Sequence, residues 1–297
     1  MSEHEWLAER FEEDRGRLRG VAYRMLGSLT DADDAVQEAW LRLSRSDARA
    51  IENLSGWLTT VVARVCLDQL RSRQVRREEP LEEQSAPEPA APVRGPRNPE
   101  EEAVMADSVG LALLVVLERL DPAERLAFVL HDLFDLPFSE IAEIVGRSPE
   151  AARQLASLAR RRVRGAGTTP GADLAGQRRL VDDFLAALRA GDAGKLVTLL
   201  DPEFEVHADS AAQAAVPPDI HGAEAWAKTA VRLAGGARLA RVALVEGSVG
   251  IVIAPRGKLF RVLRFTFEGD RIATMEVIGD PERLQALELG VLETSSQ

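Results

Sequence analysis

The sequence predicts a multidomain chain: two all-α blocks, the second ending in a helix-turn-helix, followed by an α+β domain. Three observations predict it. Apolar residues repeat at helical spacing through residues 3–77 and again through 108–164. A stretch rich in Pro, Glu and Ala separates those two blocks. After a Gly/Thr/Pro break, GAGTTPGAD at residues 165–173, two helical patterns give way to short strand-like runs. A chain of 297 residues is long enough for two or three such cores.

In the first block, residues 1–77, Leu7, Phe11, Leu18, Val21, Ala22, Met25 and Leu26 make a long amphipathic helix that Gly27 ends. Thr30 or Asp31 is the expected cap of a second helix, DADDAVQEAWLRLSR, with Ala35, Val36, Trp40 and Leu43 on its apolar side. Asp33, Asp34, Gln37, Glu38 and Arg42 are left for solvent or a partner. A third helix begins near Leu54, with Trp57, Leu58, Val61, Val62, Val65 and Leu70 toward the core, and ends in the basic run RSRQVRR.

Residues 78–107 form an acidic linker with little to bury, read as extended or disordered. The second block, residues 108–166, opens with a helix from Ser108 to Leu120. Asp121-Pro122-Ala123-Glu124 then starts another: Asp caps, Pro takes the first helical position and Glu sits where a capping box places it. In the helix LAFVLHDLF, His131 reads as a structural histidine amid apolar neighbours. FSEIAEIVGRSPEAARQLASLARRRV follows. Ile141, Ile144 and Val145 repeat at helical spacing, Gly146 supplies a turn, and Ser148, Pro149 and Glu150 start a second helix. Leu155 and Leu158 are expected to face inward, and Arg153, Gln154, Ser157 and Arg161 outward. That is the pattern of a helix-turn-helix whose second helix enters a DNA major groove.

The third block, residues 176–290, carries helices at 177–190 and up to Leu200, then strands at 204–208, 237–245, 250–254, 258–267 and 271–278. A helix at 222–233 lies between the first two strands, and a short one follows Asp280-Pro281.

The formal net charge of −11 is the wrong sign for a general nucleic-acid binder, but the basic charge is local. Residues 150–164 hold five Arg and one acid, residues 56–77 five Arg and one Asp, and residues 78–107 nine acids and two Arg. Such segregation suits a protein that touches DNA at two places, although a charge run is also an ordinary solvated helix face. Cys66 is the only cysteine, so no intrachain disulfide forms, and its apolar setting marks a packing residue. The polar, acidic N-terminus is no signal peptide and no apolar run spans a bilayer, so a soluble, cytoplasmic chain is expected. No Cys/His cluster has metal spacing and no Gly-rich loop would cradle phosphate, so neither metal nor cofactor is expected.

DADDAVQEAWLRL, a tryptophan-led basic helix, and DPAERLAFVLHDLFDLPFSEIAEIVGRSPEAARQLASLARRRV stand in this order on one chain. Together they resemble regions 2 and 4 of an extracytoplasmic-function sigma factor of the sigma-70 family. The third block is similar to the SnoaL-like (nuclear transport factor 2-like) domain of the SigJ-type subgroup, through strand order and the motif DPERL. The resemblance implies a bacterial, non-enzymatic factor that directs core RNA polymerase to −10/−35 promoters and starts transcription. Its implied partners are the β′ clamp helices and the β flap of core polymerase, and promoter DNA, with no membrane contact.

The implied roles fall on particular residues. Asp33, Asp34, Gln37 and Glu38 would meet the clamp helices, where charge steers docking more than it adds affinity. Asn53, Ser55, Arg64, Arg71 and Arg73 would hold single-stranded −10 DNA, with Arg76 and Arg77 adding charge. Trp57 is placed in the core by its helical phase rather than under a base. Arg153, Gln154, Ser157 and Arg161 would read −35 bases, and Arg147, Arg160 and Arg164 would grip phosphates. The linker would thread toward the active-site cleft or act as a plain tether. It has Glu79-Pro80-Leu81 and Pro87-Glu88-Pro89 where SigJ-type relatives carry Trp-Leu-Pro.

His207, Asp209, His221 and Trp226 fall near the mouth expected of a SnoaL-like cone, but no second signal supports catalysis there, and fold alone confers none. Residues 208–216, ADSAAQAAV, replace a glycine-rich stretch of the subgroup. The third block is therefore read as a tethered regulator that contacts region 2 or region 4 through Asp280, Pro281, Glu282, Arg283 and Leu284. Two alternatives stand beside this reading: a DNA-binding regulator that never joins polymerase, and a DNA reader fused to a SnoaL-like enzyme.

Overall fold

The computed structural model describes residues 3–47, 51–78, 110–165, 167, 173–213, 216–217, 220–230, 232 and 236–292. The acidic linker, apart from Glu78, and the start of the helix expected at Ser108 lie outside the described residues. The chain divides into two compact units, Met1–Val109 with Leu117–Arg160, and Gly110–Val116 with Arg161–Gln297.

In the first unit α1 (Glu3–Leu26), α2 (Leu29–Leu43) and α3 (Leu54–Glu78) pack as a three-helix bundle. The predicted apolar stripe of α1 is buried from Leu7 to Leu26, and Gly27 closes the helix at φ 73°. Ser28, not Thr30 or Asp31, caps α2, its hydroxyl accepting from the Asp31 N–H at 3.3 Å. The helix starts early because Leu29 is drawn into the core. Trp40 is half-buried against Phe11 (5.1 Å between ring centroids), and Trp57 and Leu70 of α3 are also half-buried, short of the core positions their phase implied.

After α4 (Leu111–Glu118), Asp121 caps α5 (Pro122–Phe128) through the Ala123 N–H. The helix widens into a π turn at Val129–Leu133. There His131 Nδ1 donates to the Leu136 carbonyl at 2.9 Å and its ring lies on Phe138, which bears out its structural reading. α6 (Phe138–Val145) and α7 (Pro149–Arg164) complete the helical part. Arg125 is 4% exposed, and its Nε donates to the carbonyl of Arg24 at the end of α1, so the α5 segment is hydrogen-bonded to the three-helix bundle.

The second unit is α+β. Its seven-stranded sheet runs β2-β1-β6-β5-β4-β3-β7. The strands are β1 (Leu200–Ala208), β2 (Ile220–His221), β3 (Ala240–Val245), β4 (Ser248–Ile253), β5 (Arg261–Glu268), β6 (Arg271–Ile278) and β7 (Leu289–Gly290). β1 runs parallel to β6 and all other pairs are antiparallel. The strand at 271–278 matches its predicted bounds. β3 starts three residues late because a 3₁₀ turn takes Gly236–Leu239. β2 and β7, two residues each, are too short to leave a periodic signal.

The helices α8 (Leu174–Ala190), α9 (Ala193–Leu199) and α10 (Ala223–Ala230) pack with the sheet, and α11 (Pro281–Ala286) follows β6. Gln177 anchors α8 by accepting from the Ser248 hydroxyl and the Val249 N–H. Arg189 anchors its far end by donating to the carbonyls of Ala237 and Ala240. Phe184, Phe204, Trp226, Phe265 and Met275 fill the shared core.

Candidate nucleic-acid interface

The turn between α6 and α7 is built as its residues require. Gly146 takes φ 70°, where a Cβ would be strained, and the N–H groups of Gly146 and Arg147 cap the Ala142 carbonyl. The Ser148 hydroxyl then accepts from the Ala151 N–H at 3.2 Å and Pro149 opens α7. Hydrogen bonds from its own backbone N–H and from Ser148 hold the Glu150 carboxyl below the usual range. A negative group at that end also suits the helix dipole.

α7 buries a narrow stripe, Ala152, Leu155, Ala156 and Ala159, and turns Arg153, Gln154, Ser157, Arg161, Arg162 and Arg164 outward. Arg147 is exposed on the turn. Two expected features differ. Arg160 is half-buried in an ion pair with Asp132. Leu158, expected inside, is 39% exposed, because the buried stripe is centred on the alanines and leaves position 158 beyond its edge. The Arg153 guanidinium lies over the Phe138 ring, 5.4 Å from its centroid, on an otherwise exposed residue.

At the head of α3, Asn53 is exposed and its Oδ1 accepts from the Gly56 N–H, so it caps the helix. Ser55 is drawn into a network: its hydroxyl donates to Asp14 at 2.6 Å, and Arg17 donates to Ser55 and Thr59 at 2.7 Å each. Arg73 pairs with Asp31 at 2.8 Å. Arg64, Arg71 and Arg76 are exposed, and the Arg77 side chain lies outside the described ones. The structure thus separates outward cations from Ser55 and Arg73, which hold the bundle together.

On α2, Asp33, Asp34 and Gln37 are exposed and Glu38 half-exposed, all on one side of the helix. Asp33 pairs with Arg19 at 2.7 Å and Glu38 with Arg42 at 2.9 Å. Sequence periodicity could not reveal Arg19, which comes from another helix.

The four residues expected at a pocket mouth are not brought together as one. Asp209 accepts from the N–H groups of Ala212, Gly279 and Asp280 and lies 3.5 Å from Arg283. Burial would raise its pKa, but those N–H donors and Arg283 hold it below the usual carboxylate range. His207 and His221 are exposed on either side of Glu205, at 3.3 and 3.4 Å. Trp226 is 1% exposed in the core, its Nε1 buried without a hydrogen-bond partner among the described residues. A cleft of about 510 Å³ is lined by His221, Glu224, Lys228 and Arg271 among others, but not by His207, Asp209 or Trp226. Among the described residues no group of three His, Cys, Asp or Glu could hold a metal ion, and no helix is long and apolar enough to cross a membrane.

In the DPERL segment Asp280 caps α11 by accepting from the Arg283 N–H, with Pro281 at its start. Glu282 is exposed and Leu284 buried. The Arg283 guanidinium bonds Glu276, which also pairs with Arg264. A second feature near the end of the chain gave no sequence signal. The Val291 N–H donates to the Val163 carbonyl in the last turn of α7 at 2.7 Å. A Cβ on Gly290 would stand 2.8 Å from the Arg164 carbonyl and the Gly165 backbone.

The Sigma-70 region 2 family profile matches residues 10–76, and that of Sigma-70 region 4 matches residues 110–163. The chain is 44% identical over 205 residues to the ECF RNA polymerase sigma factor SigJ of Mycobacterium tuberculosis, covering 67% of this chain and 64% of that protein. It is 33% identical over 293 residues to the probable ECF RNA polymerase sigma factor SigI of the same species, covering 98% of this chain and 99% of the relative. The crystal structure of M. tuberculosis SigJ is similar at 33% identity, covering 93% of this chain and 98% of that one, with a TM-score of 0.45. Matched from end to end to one such relative, and carrying regions 2 and 4 in order, the chain belongs to the extracytoplasmic-function RNA polymerase sigma factors.

Proposed function

We propose that this sigma factor binds core RNA polymerase in the cytoplasm, reads a −35 element with α7, and holds the opened −10 strand at the head and outward face of α3. The observation that carries the reading is the outward face of α7, where Arg153, Gln154, Ser157 and Arg161 stand opposite a buried alanine stripe. Gln and Arg pair bidentately with adenine and guanine edges, while the other arginines meet phosphates without reading sequence. Asp34, Gln37 and the Asp33 and Glu38 ion pairs give α2 an acidic face for the basic clamp helices of β′, and the β flap would engage region 4.

The C-terminal α+β domain tunes this activity rather than catalysing a reaction. Supporting that is the bond from Val291 to the last turn of α7, which ties the tail of this domain to the DNA-reading helix. Asp280 to Leu284 remain part of the proposed regulatory segment, since α11 leads directly into that tail.

The test is run-off transcription with purified core polymerase, using the full chain, the chain ended after Ile278 and the chain ended after Gly165. Core-dependent transcripts from a cognate promoter are expected from the full chain, with altered promoter output from the two shortened forms. DNA binding without core-dependent transcription would overturn the sigma reading. Identical output from all three would overturn the tuning.

A further inference from the structure

The outward face of α7 is not wholly polar. Among the described residues the exposed large apolar side chains are Trp6, Leu41, Val75, Leu158, Leu239 and Phe260, and Leu158 is the one on the helix-turn-helix. It is 39% exposed and follows Ser157 directly. Gln154 lies one turn before it, and Arg161 and Arg162 one turn after, all exposed. Helical side chains lean toward the N-terminus, so Leu158 covers the surface beside Gln154. A single exposed leucine is unremarkable on most surfaces. Here it interrupts a polar, cationic face of a DNA-reading helix.

The chemistry of the groove supplies an occupant. Every base edge in the major groove offers hydrogen-bonding groups, and thymine adds one apolar group, its C5 methyl. The surrounding arginines favour a polyanion over an apolar protein surface. We propose that Leu158 reads a thymine methyl in the −35 element, next to the base pair that Gln154 contacts. This rests on the reading of α7 as the −35 helix.

The test uses the holoenzyme and a promoter duplex selected from a randomised −35 region. Each thymine of the selected element is replaced singly by deoxyuracil, which lacks only the methyl. One replacement is expected to weaken wild-type binding about fourfold, the worth of one buried methyl-sized group. Leu158→Ala should bind the parent duplex about as much more weakly, and be indifferent to deoxyuracil at that position alone. Leu158→Gln, which keeps the helix and the length, should behave the same way. Equal wild-type affinity for every deoxyuracil duplex would overturn the proposal, as would undiminished methyl sensitivity in both variants. If selection returned no −35 sequence at all, the reading of α7 itself would fall, and the methyl contact with it.

Discussion

Arg125 shows how far a single residue can depart from its sequence context. It follows the helix start Asp121-Pro122-Ala123-Glu124, yet it is buried, and desolvation lowers its pKa to about 10. Its Nε satisfies the Arg24 carbonyl, which has lost its helical partner at the end of α1. Arg125→Ala should destabilise the first unit by about 2–4 kcal/mol, through a cavity and an unsatisfied carbonyl. Arg125→Met, which keeps the volume without a charge to desolvate, should cost distinctly less. Urea unfolding of the full chain compares the two.

Asp209 departs from its reading in another way. The sequence places it near a pocket mouth with His207, His221 and Trp226, without support for catalysis, but its carboxylate is spent on three backbone N–H groups. Those donors come from residues seventy positions downstream as well as from the adjacent turn, which local pattern cannot foresee. Both Asp209 and Glu276 titrate below their usual range: burial opposes this, while the N–H donors at Asp209 and the arginines at Glu276 outweigh it. Depressed carboxylate pKa values contribute stability that is complete above the unfolded values near pH 4 and is lost as pH falls through the folded ones. Asp209→Asn should therefore lower stability at neutral pH and flatten its decline on acidification, which thermal melts of the full chain from pH 7 to pH 3 would reveal.

At the scale of elements, long periodic segments were legible and short ones were not. α1, α7 and β6 follow their apolar patterns because each packs one continuous stripe. The pattern misleads where tertiary contact decides: Leu29 draws α2 forward onto Ser28, and in α7 alanines join Leu155 in the core while Leu158 stays exposed. The −10 set divided for the same reason, since Ser55 and Arg73 are engaged by Asp14, Arg17 and Asp31 from other helices. The acidic side of α2 was legible because it simply opposes a complete apolar side. Joint reversal, Asp34→Lys with Glu38→Lys, should slow association with core polymerase about tenfold at low salt while leaving the melting temperature nearly unchanged. Stopped-flow binding across a salt series measures the first and calorimetry the second, and an unchanged rate would remove α2 from the interface.

Across the whole chain, the order of two helical blocks and an α+β block was legible, because apolar residues repeat at helical spacing in the first two and give way to strand-like runs in the third. The family of the chain follows from motifs in those blocks. The tail contact with α7 was invisible, because it joins backbone atoms rather than distinctive side chains. It has a kinetic consequence. Residues near a chain end ordinarily exchange their amide hydrogens almost at once. Val291 is bonded to Val163, and Glu246 and Glu288 tie the preceding residues to the turn after β3. Opening this strap requires the sheet edge to loosen, so the Val291 amide should exchange at the pace of β3 and not of a frayed end. Gly290→Ala, whose methyl would collide with the Arg164 carbonyl, should convert that slow hydrogen into a fast one and quicken exchange in the last turn of α7, while the amides of α1 and α3 keep their rates.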